Sequence, residues 1–373
     1  MRLGYFSMPL HPKGRPWHET LAEDREAVIE ADRLGFHDAF IGEHLTDEHE
    51  NITNSLLFLA TLISETTNIR LATGTTNLSQ QHPVLVAANS AMFDHLSGGR
   101  FILGVSPGAL ASDAEALGIL DQDRNALFAD AIDIVTRIWA ADPPYDLTSP
   151  SGRFVVSTAQ TLDRQLGVGV LPKPYQQPRP EIVGTVVAPF SKGVIAMGRA
   201  DFHPLSANFL LPKWVASHWP NYVQGRREAG AVADPRDWRI ARTVFVADDE
   251  PTARAYAFER EDSPYRFYYA QMLTKMSRLG RLDLFKHSRD EPDSEVTLDR
   301  VLADLVIAGT PESVAEQLAT FRDTVGEFGE LVYAGLDWVE PELAKRSMEL
   351  MATQVIPALG ESAPAAPGAG HPS

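Results

Sequence analysis

The sequence predicts an α/β fold, a (β/α)8 TIM barrel with insertion loops over its C-terminal face, and three observations lead there. Short β-rich runs alternate with amphipathic runs of helical length, which implies a parallel sheet with helices packed outside it. Nine strand candidates can be counted, one more than such a barrel needs. The 373 residues, 44% of them hydrophobic, suffice for one barrel-sized unit. A doubly wound open sheet is the competing architecture, but no GxGxxG follows the first strand to support a Rossmann nucleotide site.

RLGYFSM (2–8) reads as the first strand; Leu21, Val28, Ile29 and Leu34 then fall near one helical face, with Gly35 where a C-cap sits. DAFIG (38–42), IRLATGTT (69–76) and FILGV (101–105) are the next strands. Helices fit Ser55 to Ser64, Pro83 to Leu96 with proline at the first position, and Asn125 to Trp139. Residues 142–180 are rich in Pro and Gly, end in LPKPYQQPRPEI, and read as a long ordered loop. Periodicity resumes with EIVGTVV, a helix from Ser191 to Met197, FHPLSAN, a helix around Trp214 to Glu228, and the strand WRIARTVFVA. Residues 259–300 are charged and aromatic with no clear strand; a mobile cover over a site and a surface helix pair both fit. DLVIAG is demoted to the lead-in of the helix from Pro311 to Val325, ahead of the strand LVYAG and a helix from Pro341 to about Ile356. A single domain over 1–358 is expected, with a low-complexity, disordered tail over 359–373.

The formal net charge of −17 argues against nucleic-acid or anionic-membrane partners, which would repel such a surface. The absence of cysteine removes disulfides, thiolate metal sites and a Cys nucleophile, and suits a reducing cytoplasm. The N-terminal MRLGYFSMPLHPKG has no signal-peptide core, and no stretch of about 18 uncharged apolar residues occurs. A soluble, cytoplasmic protein acting on a small molecule is expected.

In a parallel barrel the ligand meets the C-terminal ends of the strands and the loops that follow. The shortlist is Ser7 and Met8, Glu43 and His44, Thr75 to Asn77, Ser106 to Gly108, and Val187 to Ser191. IGEHLTDEHE (41–50) places two histidines near one strand end, which raises the question of a metal. His44 and His49 would diverge by about 140° on a helix, HExxH is absent, and His11 and His18 in HPKGRPWH lack ligand spacing, so no metal site is expected. GxSxG is absent too. A strand-end histidine can transfer protons near neutral pH, or can hydrogen-bond a loop carbonyl with no chemical role; the residues alone leave both readings of His44 open. In APFSKG (188–193) a strand gives way to a helix, so that Ser191 serves either as an N-cap or as part of an anion site.

GFHDAFIGEHLT, then IRLATGTTNLSQQHPVLVAANSAMFDHLSGGRFILGVSPG, then GTPESVAEQL resemble the bacterial luciferase-like flavin-dependent monooxygenases, in matching order and spacing over nearly the whole chain. Within that family, ENI after EHLTDEH, GVSPG and LPKPYQQPRPEI are most similar to limonene 1,2-monooxygenase-like and diketocamphane-type Baeyer–Villiger members.

The resemblance implies a (β/α)8 barrel that takes reduced FMN from a separate NAD(P)H-dependent flavin reductase; no NAD(P)H fingerprint is present in this chain. It implies that Gly74, Thr75, Asn77, Ser106 and Gly108 approach the flavin ring, with a non-prolyl cis peptide at Gly74–Thr75. Ala188 and Ser191 match the phosphate-binding turn, but Pro107 stands where luciferase has a cation, so the phosphate is expected to find Lys192 or an arginine elsewhere, or to be held mainly by backbone. His44 matches the catalytic histidine, with Glu43 a supporting acid and His49 a loop residue. The implied reaction adds O2 to reduced flavin at C4a and delivers oxygen to an apolar terpenoid or ketone in a water-excluding pocket, its walls drawn from loops 45–55, 107–120 and 259–300. Homodimers are common in the family. The alternatives are a coenzyme F420-dependent oxidoreductase, which shares the fold and much of the third and fourth strand pattern, and a flavin-binding relative without turnover.

Overall fold

The computed structural model describes residues 1–7 and 10–360, so that Met8 and most of the expected tail lie outside the described residues. β1 (Arg2–Ser7) leads into α1 (Trp17–Arg33), β2 (Asp38–Ile41) into α2 (Ser55–Ala60), and β3 (Arg70–Thr73) with the short β4 (Thr76–Asn77) into α3 (Pro83–Leu96). β5 (Phe101–Ser106) is followed by α4 (Ala111–Ala116), α5 (Arg124–Ala140) and an antiparallel hairpin, β6 (Asp146–Thr148) with β7 (Val155–Ser157). β8 (Glu181–Val186) precedes α6 (Gly193–Ala200), and β9 (His203–Ser206) precedes α7 (Pro212–Ala216) and α8 (His218–Glu228). β10 (Arg239–Val246) precedes α9 (Glu250–Arg254), α10 (Pro264–Arg278) and α11 (Leu298–Leu305). β11 (Val306–Gly309), α12 (Pro311–Val325), β12 (Glu330–Gly335) and α13 (Pro341–Leu350) follow. This alternation, with parallel pairing, is that of a (β/α)8 barrel.

Local chemistry explains the element ends. α2, α5 and α12 start where Asn54, Asp123 and Thr310 accept backbone N–H bonds from Leu57, Asn125 and Ser313. α3 and α12 carry Pro83 and Pro311 in the first turn, where no N–H is needed. Gly35 follows α1 at φ +80°, a backbone that favours glycine.

Two expectations change, and one open reading gains detail. DLVIAG is a strand after all: the first four residues of β10 pair with β12 and the last four with β11, so one long strand holds two partners in succession. The helix expected from Ser191 begins at Gly193, and the one around Trp214 to Glu228 is broken into α7 and α8 at Ser217. Of residues 259–300, which the sequence left open between a cover and a helix pair, 264–278 form the helix α10. α10 buries Tyr265, Tyr268, Tyr269 and Met272 against Phe245, Phe285, Leu302 and Leu305, each worth roughly 1.5–3 kcal/mol of burial.

The chain divides by contact density into two compact units, one of residues 1–39, 66–69 and 186–373, the other of residues 40–65 and 70–185. In the first unit β1 pairs with β12, and β10 with β12, β11 and β9, all parallel. In the second, β5 pairs in parallel with β3, β4 and β8. Close packing there leaves no room for a side chain at Gly104, whose Cβ would sit 1.8 Å from the Thr73 carbonyl oxygen.

The first unit holds two buried ionic clusters. At one, Arg239 donates from Nε and Nη2 to Asp38 Oδ2 at 2.9 and 2.8 Å, and His37 Nδ1 lies 2.7 Å from Asp38 Oδ1 and 3.4 Å from Glu330 Oε2. At the other, His11 Nδ1 donates to Asp337 Oδ1 at 2.5 Å and Nε2 to Asp24 Oδ2 at 3.4 Å, while Arg15 pairs with both Asp337 and Glu23. The atoms of His11, Glu23 and Asp337 lie close enough to share a cation, and the guanidinium of Arg15 already sits on the two carboxylates. Burial opposes charge on His11 and His37, but bonds to the flanking carboxylates outweigh it and raise both to about 9.

A histidine that binds its proton more tightly when folded contributes stability that is complete below its unfolded value of 6.5 and is lost as pH rises through about 9. His11→Gln is therefore expected to flatten the alkaline limb of the stability profile, removing on the order of 2 kcal/mol of its pH dependence. Urea unfolding at pH about 6.5 and about 9.5 measures it. An unchanged limb would assign the alkaline loss to other groups.

Candidate active site

Within the second unit the ends of β2, β4 and β5 meet through hydrogen bonds. The buried Glu43, just past β2, accepts from Ser55 N and Oγ at 2.9 and 2.7 Å and from Asn77 N at 3.3 Å. Burial raises the pKa of its carboxyl, and the Ser55 bonds oppose that rise. Asn77 returns its Nδ2–H to the Glu43 carbonyl at 3.4 Å, which orients its amide. The Asn77 Oδ1 then accepts from Ser106 Oγ at 2.9 Å, and Ser106 Oγ accepts from Thr75 Oγ1 at 2.7 Å and from Gly108 N at 3.1 Å. The hydrogens of Thr75 and Ser106 are thus both committed, so the Thr75 oxygen faces any ligand as an acceptor. Gly74 donates its N–H to the Ile41 carbonyl at 2.6 Å, the Gly74–Thr75 peptide is cis, and Gly108 takes φ +78°. The structure therefore brings Gly74, Thr75, Asn77, Ser106 and Gly108 together, with Glu43 supporting Asn77 rather than His44.

His44 lies one residue further on, its N–H bonded to the Ile52 carbonyl at 3.0 Å. Its ring stands between two acids: Nδ1 is 3.2 Å from Asp113 Oδ2, and Nε2 is 3.6 Å from Glu50 Oε2, beyond hydrogen-bond reach. Asp113, on α4 and fully buried, also accepts from Leu45 N, Thr46 N and Thr46 Oγ1 at 3.2, 2.9 and 2.5 Å. One carboxylate therefore fixes the 44–46 loop and the orientation of the imidazole. His49 is turned into the loop, its N–H on Asp47 Oδ1 at 3.0 Å.

Within the first unit, the turn after β8 contains Ala188 and Ser191. The Ala188 carbonyl accepts from His218 Nε2 at 3.0 Å, and the Ser191 carbonyl from Asn221 Nδ2 at 2.9 Å. Ser191 is not a side-chain cap: α6 begins after Lys192 with no side-chain capping bond. Among the described residues the N–H groups of Ser191 and Lys192 have no acceptor and the Lys192 ammonium has no ion pair. Two donors and one cation at the start of a helix can hold an anion.

Sequence reasoning missed Asp113, Glu50 and His218. Asp113 left a faint signal, an acid inside the alanine-rich ALASDAEA within the loop expected to wall the pocket. No helix among the described residues is long and apolar enough to cross a membrane.

Strand ends that carry a histidine between carboxylates and a closed hydroxyl–amide network define a ligand site of the barrel-enzyme class. Residues 1–327 match the luciferase-like monooxygenase family, and the chain belongs to it. It is 31% identical to the 4-hydroxyprotoasukamycin monooxygenase of Streptomyces nodosus subsp. asukaensis over 95% of this chain and 91% of that protein. To the limonene 1,2-monooxygenase of Rhodococcus erythropolis it is 30% identical, over 95% of this chain and 85% of that one. Among solved structures it superposes with a TM-score of 0.85, at 23% identity and over 96% and 98% of the two chains, on the oxygenating constituent of 3,6-diketocamphane monooxygenase from Pseudomonas putida, a type II Baeyer–Villiger monooxygenase in complex with FMN. The protein is an enzyme, a monooxygenase of luciferase-like type.

Asp113→Ala removes the acceptor for two backbone N–H groups and for His44 together. It is expected to cost about 2–4 kcal/mol of stability, read from the shift in urea midpoint. A loss within about 0.5 kcal/mol would mean that solvent replaces the carboxylate at no cost.

Proposed function

We propose that the enzyme uses reduced FMN, supplied by a separate NAD(P)H-dependent reductase, and O2 to oxygenate an apolar small molecule, a terpenoid or a ketone. The observation that carries the reading is the network of Thr75, Ser106 and Asn77 beside His44, on strand ends where the family resemblance puts the flavin ring. The Thr75 oxygen, left as an acceptor, suits a ring edge that presents N–H groups, as reduced flavin does. Ala188 and Ser191, with the free N–H groups and Lys192, suit its phosphate. The description of the 3,6-diketocamphane protein as an oxygenating constituent supports a partner that performs the reduction.

Bound reduced flavin would supply the electrons that activate O2. His44 would hold or move a proton at Nε2, the nitrogen left without a hydrogen-bond partner, while Asp113 keeps the ring in place through Nδ1. Glu50 Oε2 stands 3.6 Å from that nitrogen. Residues 1–358 would act as one functional domain.

The second reading is hydride transfer with the deazaflavin F420, since the fold is shared with an F420-dependent secondary alcohol dehydrogenase at a TM-score of 0.68 and 16% identity. Anaerobic titration with reduced FMN and reduced F420, followed by oxygen and a ketone or terpene, separates the two. Preferential binding of reduced FMN and oxygen-dependent product are expected. A preference for F420, or product without oxygen, would move the assignment to the second reading. His44→Ala is expected to lower product formed per O2 consumed by about 100-fold with reduced-FMN affinity unchanged.

A further inference from the structure

Helix α8 follows the next strand, yet three polar residues at its start, Ser217 just before it and His218 and Asn221 in its first turn, bond to the turn after β8. Ser217 Oγ gives its hydrogen to the Trp214 carbonyl at 2.6 Å and accepts the Phe190 N–H at 2.9 Å. His218 Nε2 holds the Ala188 carbonyl and Asn221 Nδ2 holds the Ser191 carbonyl. Phe190 takes φ +51°, a left-handed conformation that turns the chain sharply between those two carbonyls.

We infer that Ser217, His218 and Asn221 are positioning residues for the phosphate end of the cofactor, setting the backbone of residues 188–192 so that its free N–H groups point to one side. The inference rests on the reading that this turn holds the flavin phosphate. Its physical basis is the planarity of the peptide bond, in which C=O and the following N–H point in opposite directions. Asn221 draws the Ser191 carbonyl toward α8, and the Lys192 N–H is thereby aimed away from α8. Ser217 holds the Phe190 N–H toward α8 and so fixes the plane of the 189–190 peptide. The carbonyls at 188 and 191 are thus occupied, and the N–H groups at 191 and 192 are free.

His218 is held in one state by a chain of hydrogen bonds with a fixed direction. The Trp238 indole can only donate, and does so to Ser206 Oγ at 2.9 Å; Ser206 in turn donates to His218 Nδ1 at 2.8 Å. His218 Nε2–H then donates to a carbonyl, which can only accept. Neutral imidazole with its proton on Nε2 is the form that satisfies every member, and a second proton on Nδ1 would take from the Ser206 hydrogen its acceptor. Burial lowers the pKa of His218 to about 4, with the Ala188 bond opposing that shift. Trp238 is itself fully buried and stacked on Trp219 at 5.6 Å and 13°, so the far end of the chain is rigid. The clamp is therefore in place throughout the neutral pH range.

The test compares FMN with riboflavin, which has the same ring and no phosphate. Dissociation constants for both are measured with the full chain by anaerobic titration, for the parent protein and for His218→Phe, His218→Gln and Asn221→Ala. The parent is expected to prefer FMN. His218→Phe and Asn221→Ala are expected to reduce that preference about tenfold with the riboflavin constant unchanged. His218→Gln, which keeps a donor near the Nε2 position, is expected to retain most of it. Equal losses for both ligands, or no loss for either, would overturn the inference and leave α8 a structural neighbour. A parent protein that does not distinguish FMN from riboflavin would instead remove the underlying assignment of this turn to the phosphate. Asn221, half-buried, keeps the test open if the fully buried His218 does not tolerate phenylalanine.

Discussion

The carboxylate of Glu43 is the constraint on which the second unit's site depends. It lies where β2 ends, and its two oxygens reach the start of α2 through Ser55 and the end of β4 through Asn77. A buried carboxylate is costly unless its lone pairs are filled, so three donors must stay where they are for the fold to tolerate it. That demand fixes the register of the strand ends relative to one another. Asn77, held on both sides of its amide, then dictates which way Ser106 and Thr75 point their hydrogens. Backbone folding is thereby converted into a defined pattern of donors and acceptors.

A different solution serves the turn after β8. Among the described residues no carboxylate is bonded to it; two of its carbonyls are capped by neutral donors from α8, and Lys192 has no ion pair. An acid would have stabilised the turn equally well but would have cancelled the positive potential that a helix start provides. Neutral donors, and a histidine kept uncharged by burial, avoid both cancellation and a second fixed charge. In a chain of net charge −17, a local surplus of donors is the way to admit an anion without a cluster of arginines.

Much of this was legible in the sequence, and the part that was not shares one cause. Pro83 and Gly35 marked helix ends because proline and glycine act locally, and the helix from Pro83 to Leu96 has the bounds that the pattern suggests. His44 stood out because strand-end position is a property of its own segment. The cis peptide at Gly74–Thr75 lies where the resemblance put it. DLVIAG was misread because its pairing depends on the length of β10, which one segment does not reveal. The partners of His11 and of His44 are separated from them by 326 and 69 residues, and no periodicity connects such positions. Ser191 illustrates the finer limit: its sequence context suits a cap, yet the helix starts one residue too late for its side chain to be used as one.

The direction of each hydrogen bond carries more functional information than the identity of the residues. A serine, a threonine and an asparagine can present donors or acceptors according to what lies behind them. In the second unit Ser106 is consumed by three bonds and Thr75 by one donation, so those strand ends offer oxygen lone pairs; in the first unit the turn at 188–192 offers N–H groups and an ammonium. The 44–46 loop obeys the same rule: Asp113 accepts from Leu45 N and Thr46 N, and the orientation of the His44 ring is set from behind by that one carboxylate.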